Sequence, residues 1–295
     1  MSIPPKNALV IGKQGQVALA LRATQPQNIK TDYRGRAQLD IRQPDAIHKL
    51  LRQKPFDLVI NASGYTQVDL AETQHSEADA LNHLSVKQLA ISCAEHNIRL
   101  IHLSTDYVFD GKQDQPYRPD DVPHPINAYG QTKLAGEQAL TRYHPKNSTI
   151  IRSAWLYSPF GNNFVKTMLK LMNSRSEINV IADQQGSPTS AIELAQFIWQ
   201  ISLQDTTSPR YHWSDIGVTS WFEFAKQIQT CAIEEGLLNK EVNIKPISSQ
   251  DYNAAATRPQ FSALDCQHSY CLRQAKRWQT NLKDVMKTIK NNEET

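Results

Sequence analysis

Tyr129 and Lys133 stand four residues apart in Tyr129-Gly130-Gln131-Thr132-Lys133, a spacing that on a helix puts both side chains on one face. A free phenol releases its proton near pH ~10, but an ammonium beside it stabilises the phenolate and lowers that value. The phenol can then hand a proton to a carbonyl oxygen as hydride reaches the carbon. Pairs so spaced are common on exposed helix faces, and it is the company of this one that gives it weight. Ser104-Thr105-Asp106 follows the apolar run Ile98–Leu103, and Thr105 lies 24 residues before Tyr129. A hydroxyl at a strand end can polarise the same carbonyl oxygen. Trp155, just after the run Thr149–Ser153, can stack on a sugar ring at the lip of a cleft or fill a core.

Hydride chemistry needs a dinucleotide, and Gly12-Lys13-Gln14-Gly15-Gln16-Val17-Ala18 reads G-x-x-G-x-x-A at the junction of a first strand and a first helix. Glycines permit a tight turn and close approach to a pyrophosphate, and the helix start offers free N–H groups. Asp32 lies about 20 residues beyond Gly12, where an acid meets the ribose 2′-hydroxyl of NADH. Arg34 and Arg36 follow, and a guanidinium suits the 2′-phosphate of NADPH, so both cofactors stay open. Asp40-Ile41 can flank the adenine, or Asp40 can be a polar residue flanking a helix. Asn61-Ala62-Ser63-Gly64-Tyr65-Thr66 ends a third strand in small residues that leave room for a cofactor, or is a plain strand-to-loop transition.

The elements that must carry these residues alternate. Strands are expected at Asn7–Gly12, Asn28–Asp32, Phe56–Asn61, Ile98–Leu103 and Thr149–Ser153, and helices at Gln16–Ala23, Pro44–Gln53, Ser76–His96 and about Asn127–Arg142. Such repeats imply an α/β fold, a doubly wound parallel sheet of Rossmann type. The rhythm changes after Trp155, so residues 1–155 are read as an NAD(P)-binding domain and 156–295 as mainly a smaller mixed α/β substrate-binding domain, some segments returning to the first. Helices are expected there at Asn162–Met172, Ile192–Ile201 and Trp221–Ala232, the last capped by Thr219 or Ser220, with a short strand at Asn179–Ala182 and a frayed tail from Asn291 to Thr295.

Composition excludes other classes. The 295 residues carry a net charge of only +3, with 40% hydrophobic and 21% charged residues, which argues against disorder and nucleic-acid binding. No apolar stretch approaches the ~18 residues of a membrane span. The start, Met1 to Lys6, lacks a signal-peptide pattern, so a cytoplasmic location is expected. Cys93, Cys231, Cys266 and Cys271 form no C-x-x-C pair, no histidines cluster at zinc-like spacing, and reduced thiols are expected rather than a Cys266–Cys271 bridge. No metal ligand is singled out.

Beyond the single motifs, the chain resembles the dTDP-4-dehydrorhamnose reductase family of extended short-chain reductases over nearly its full length. The resemblance rests on the G-K-Q-G-Q-V turn and on segments Val68–Glu72, Ser104–Gly111, Tyr129–Glu137, Gly161–Val165, Asp183–Thr189 and Arg258–Leu264. It implies NADPH- or NADH-dependent reduction of the 4-keto group of a dTDP-4-keto-6-deoxyhexose. In that reading Gly12, Gly15, Gln16, Val17, Asp32, Asp40, Ile41, Gly64, Tyr65 and Thr66 line the cofactor. Tyr129 donates the proton, Lys133 binds the nicotinamide ribose, and Thr105, Asp106 and Trp155 face the nucleotide sugar. The family also implies a small-molecule partner, and some relatives are homodimers with Mg2+ between subunits, a point no residue pattern decides here. Ala18 stands where a third glycine is common, Tyr65 where histidine is frequent, and Phe261 where relatives often carry Asn. Two other readings stay open: a reductase of a different nucleotide 4-keto sugar, and a non-catalytic NADP-binding regulatory subunit like the methionine adenosyltransferase beta subunit.

Overall fold

The computed structural model describes residues 6–204 and 208–293. Met1–Pro5, read above as lacking a targeting signal, lie outside these. The five expected strands form as β1 (Lys6–Ile11), β2 (Ile29–Arg34), β3 (Leu58–Asn61), β4 (Arg99–Thr105) and β5 (Ser148–Ser153), all paired in parallel. A sixth strand, Arg210–Trp213, adds beside β5, giving the spatial order Arg210–Trp213, β5, β4, β3, β1, β2. This strand escapes a reading of the sequence because Arg-Tyr-His-Trp carries no apolar run, although Tyr211, His212 and Trp213 are all buried.

Side chains alternate across a strand, and both faces here are covered. Ala8 and Val10 join one core with Leu21, Leu194 and Phe197, while Leu9 and Ile11 join another with Ile47, Leu89 and Leu140. Helix α1 (Gln16–Ala23) and helix Ala191–Ser202 supply the first layer; α2 (Pro44–Gln53) and the helices before and after β4 supply the second. This is the doubly wound parallel sheet that the alternation of elements implied.

The helix expected at Ser76–His96 is interrupted. After α3 (Val68–Ala71), α4 (His75–Asp79) gives way to a π turn, Ala80–Leu84, before α5 (Ser85–Glu95). One extra residue in a turn leaves no mark on apolar spacing, so the pattern reads as continuous; such bulges cluster at functional sites. Helix α6 (Ala128–Tyr143) packs across this turn, and Gly136 is what lets it, since a methyl there would lie 2.1 Å from the Asn82 carbonyl oxygen.

The second half buries a core of its own. Helices Phe164–Ser174, Trp221–Glu234 and Trp278–Glu293 pack Met172, Phe224, Ile228, Trp278 and Met286 together beside a parallel pair, Glu177–Ile181 with Asn243–Ile247. Ser220, not Thr219, caps its helix, accepting from the Glu223 N–H at 3.1 Å. Asn291 to Glu293 continue the last helix where a frayed tail was expected; Glu294 and Thr295 lie outside the described residues. Among the described residues the four cysteines are free and no helix is long and apolar enough to cross a membrane.

Gly136→Ala is expected to cost about 1–3 kcal/mol, the usual scale of overpacking, measured by urea unfolding. Unchanged stability would mean that α6 does not rest on the π turn this closely.

Candidate active site

Tyr129, Lys133 and Glu137 occupy successive turns of one face of α6, and Glu137 anchors the stripe. Its Oε1 accepts from Ser104 Oγ at 2.5 Å and Arg152 Nε at 2.9 Å, and its Oε2 from Arg152 Nη2 at 2.7 Å. Arg152 and Glu137 are almost wholly buried, so α6 is clamped to β4 and β5 at once. The start of α6 is set by Asn127, whose Oδ1 accepts from the Gly130 N–H at 2.7 Å. Gly130 permits close approach to the turn after β4, since a Cβ there would meet the Tyr107 carbonyl oxygen at 2.1 Å. Thr105, the last residue of β4, caps that turn by accepting from the Tyr107 N–H at 3.2 Å. Its hydroxyl also lies close enough to Tyr129 to pull the phenol's pKa down. The structure therefore brings Thr105, Asp106, Tyr129 and Lys133 together.

Their protonation differs from what the spacing alone suggested. Burial pushes the Tyr129 phenol up to about 12, with Thr105 pulling down and Asp106 pushing up. The lysine does not lower it, because Lys133 Nζ turns toward β4. There it donates to the Leu103 carbonyl at 2.6 Å and lies 3.5 Å from His102 Nε2. Burial brings Lys133 down to about 8, against the pull of Glu137. Asp106 is pushed up to about 6 by burial; its Oδ1 accepts from Thr105 Oγ1 at 3.0 Å, while Oδ2 is buried without a hydrogen-bond partner.

The glycine turn sits where the strand order reverses, the crevice at which such sheets bind ligands. Gly12 has φ +104°, and a methyl there would lie 2.8 Å from the Ala62 carbonyl oxygen at the end of β3. Gly15 opens α1 with no side chain capping it, which leaves the first-turn N–H groups for an anion. This cradle fits a dinucleotide diphosphate. Val17 faces the core, so only its backbone is offered. The Gln16 side chain is already engaged, its Oε1 accepting from Ser158 Oγ at 2.9 Å and Asn163 Nδ2 at 3.1 Å. At the end of β2, Asp32 is bound by Arg34 at 3.0 Å and by Lys54 at 3.1 Å. Burial raises its pKa, but those hydrogen bonds outweigh it and hold the carboxyl below its ordinary value. Arg36 instead joins Arg42 on Asp40, and Arg42 above all holds that carboxyl at about 2. Ile41 is buried in the core.

Gly64 and Tyr65 are held by Asn82 of the π turn, a buried residue that apolar spacing does not single out. Asn82 Oδ1 accepts from the Tyr65 N–H at 2.8 Å, and Nδ2 donates to the Tyr65 carbonyl at 3.1 Å and to Thr132 Oγ1 at 3.1 Å. A Cβ on Gly64 would lie 3.9 Å from Lys133 Nζ, so this turn borders that lysine. Thr66 is exposed just beyond it.

The second half closes over the site. Trp155 takes φ +45° and stacks on Trp221 at 3.5 Å between ring centroids, with Gly186 against its edge. One face of its indole is thus occupied while the residue stays partly exposed. Arg258 reaches Asp69 at 2.6 Å. Phe261 packs near Val108 and Leu264 and lines a cavity of about 890 Å3 with Arg258, Gln185 and Asp110. The sequence places no metal ligands, yet His48, Glu95 and His96 converge with ligand atoms within 4.8 Å of one another. They lie toward the strand starts, at the opposite end of the sheet from Tyr129, and are nitrogen-rich where Mg2+ takes oxygens.

The chain as a whole is similar to known proteins in sequence and in fold. The family model for the RmlD substrate binding domain matches residues 6–291. A dTDP-4-dehydrorhamnose reductase of Sinorhizobium fredii is 37% identical over 263 residues, covering 87% of this chain and 88% of the relative. One from Escherichia coli is 38% identical over 274 residues, covering 88% and 89%. The crystal structure of dTDP-4-dehydrorhamnose reductase from Bacillus anthracis in complex with NADP superposes with a TM-score of 0.89 at 33% identity, covering 95% of this chain and 98% of that one.

Asp106 offers a test of the site's electrostatics. Its folded value of about 6 exceeds the ordinary 3.8, so its contribution to stability is fully present below pH ~4 and is lost as pH rises through ~6. Asp106→Asn should therefore be more stable than the parent at pH 8, by about 1–3 kcal/mol, with the gain vanishing near pH 4. Parallel urea-unfolding curves at both pH values would show that this acid is not penalised by burial.

Proposed function

The chain belongs to the dTDP-4-dehydrorhamnose reductase family, and from that premise we propose that it reduces dTDP-4-dehydrorhamnose to dTDP-L-rhamnose with NADPH or NADH. The observation that carries the reading is the Thr105–Tyr129–Lys133 group on the clamped face of α6, next to the uncapped start of α1. A bound nicotinamide dinucleotide supplies the hydride. Gly12, Gly15 and the backbone of Gln16 and Val17 hold its diphosphate. Asp32 meets the adenosine ribose, with Arg34 and Lys54 at hand for a 2′-phosphate, and Asp40 and Ile41 flank the adenine through their backbone. Gly64, Tyr65 and Thr66 line its path, and Lys133 takes the ribose hydroxyls near the reacting ring.

The phenol's raised pKa suits a proton donor: at neutral pH Tyr129 holds the proton that the C4 oxygen needs. Thr105, turning its hydroxyl from Asp106, donates to the same oxygen and steadies the charge that develops there. Asp106 and the free face of Trp155 position the sugar. The family reading carries with it a cytoplasmic location and a homodimer. Phe261, apolar where relatives often carry Asn, favours a second reading in which the sugar is a different 4-keto epimer.

NAD(P)H absorbance, followed while a dTDP-4-keto-6-deoxyhexose is generated in situ, should fall, and NMR of the product should identify dTDP-L-rhamnose or an epimer. Cofactor binding without oxidation on any such sugar would point to a regulatory subunit instead. Tyr129→Phe should lower turnover by about 10²–10⁴-fold; near-normal turnover would refute its role.

A further inference from the structure

We propose that His102, a buried ring on β4, is a positioning residue that sets the protonation of Lys133 by presenting an N–H to its nitrogen. The inference rests on the role given to Lys133 above. It starts from Ser63, whose backbone N–H can only donate. That N–H, at 3.2 Å, and the Ser63 hydroxyl, at 2.6 Å, both point to Asn61 Oδ1, which fixes which end of the Asn61 amide is oxygen. The other end, Nδ2, therefore donates to His102 Nδ1 at 3.1 Å. A nitrogen that accepts carries no proton. His102 is neutral, because burial and then Lys133 hold it well below its ordinary pKa, so its single proton sits on Nε2.

Nε2 is the atom 3.5 Å from Lys133 Nζ. An ammonium has three hydrogens and no lone pair, so it cannot accept from this N–H. A free amine can accept from it, and in either state Nζ donates to the Leu103 carbonyl at 2.6 Å. The chain Ser63–Asn61–His102 thus disfavours the charged lysine through fixed dipoles.

The other groups around Nζ oppose it weakly. Glu137, one turn along α6, favours the ammonium but is paired bidentately with Arg152. Tyr129, one turn back, is an un-ionised phenol. Asp106, at the end of β4, hydrogen-bonds Thr105. The π turn and the Gly64 loop bring Asn82, and the titratable His83 of that turn is paired with Asp79 at 2.9 Å. The drop of Lys133 to about 8 by burial acts in the same direction. The consequence is that the lysine sheds its proton within the working pH range, and the alkaline limb of the rate reports it.

The pH profile of kcat/KM on the 4-keto sugar tests this, together with 15N NMR of histidine-labelled protein. The wild type should show an alkaline limb, and its His102 should carry the proton on Nε2. His102→Phe keeps the volume and removes the N–H. Its limb should move up by about one pH unit, a tenfold advantage over the wild type on the alkaline side. His102→Gln, whose amide can accept from Asn61 and donate to Lys133, should return it. A proton found on Nδ1, or a folded His102→Phe protein with an unmoved limb, overturns the proposal. If the Phe variant does not fold, the wild-type NMR still decides. Full turnover in Tyr129→Phe would instead sink the underlying reading and leave the tautomer assignment standing.

Discussion

The buried pair between Glu137 and Arg152 is the contact on which the arrangement of the site depends. Two charges removed from water repay their desolvation only when every donor and acceptor is used, and here Ser104 and the Nε–Nη2 edge of the guanidinium engage the carboxylate, while Nη1 donates to the Pro119 carbonyl. The pair is a weak source of net stability, but breaking one side would leave a charge stranded in the core. It therefore acts as a registry pin. With Glu137 fixed against β4 and β5, Lys133 and Tyr129 on the preceding turns of α6 can only face Leu103 and Thr105.

A second layer of polar contacts works on the opposite wall. The π turn carries Asn82 into the space between α6 and the end of β3, where one amide satisfies Tyr65 and Thr132. Gly12, Gly130 and Gly136 are among the places where backbone comes close to backbone, and Gly64 is one where backbone comes close to Asn82 and Lys133. Most polar groups of the site are satisfied by one another, while Asp106 Oδ2 and Ser153 Oγ, on neighbouring strand ends, are buried without a close partner. A buried acid whose pKa is raised by burial is a cost in stability, the kind of local violation expected at functional sites.

The two halves of the chain meet through the same residues. Ser158 and Asn163 hold the Gln16 side chain at the glycine turn, and Asp69 holds Arg258 over the catalytic end of α6. The glycine turn and the second half are therefore linked by hydrogen bonds that cross between the halves.

Much of this was written locally. The apolar runs at residues 7–12, 56–61 and 98–103, the helical spacing of Tyr129 and Lys133, and the G-x-x-G turn are patterns of neighbouring residues. Period and turn chemistry suffice to read them, and they carried the parallel sheet, its order of elements and the candidate catalytic residues. The sixth strand, Arg210–Trp213, was not legible, because its place in the sheet comes from β5 beside it and not from its own composition. Nor was the π turn, since one added residue does not disturb apolar spacing. The partners of Asp32, Asp40 and Lys133 were decided only by the tertiary structure. Lys54 reaches Asp32 from 22 residues away, Arg36 goes to Asp40 instead of the ribose site, and Lys133 turns to His102, 31 positions back. A residue's type and spacing say what it can bond, but its charge state depends on burial and on whichever donors the fold brings within a few ångströms, and those come from distant parts of the chain.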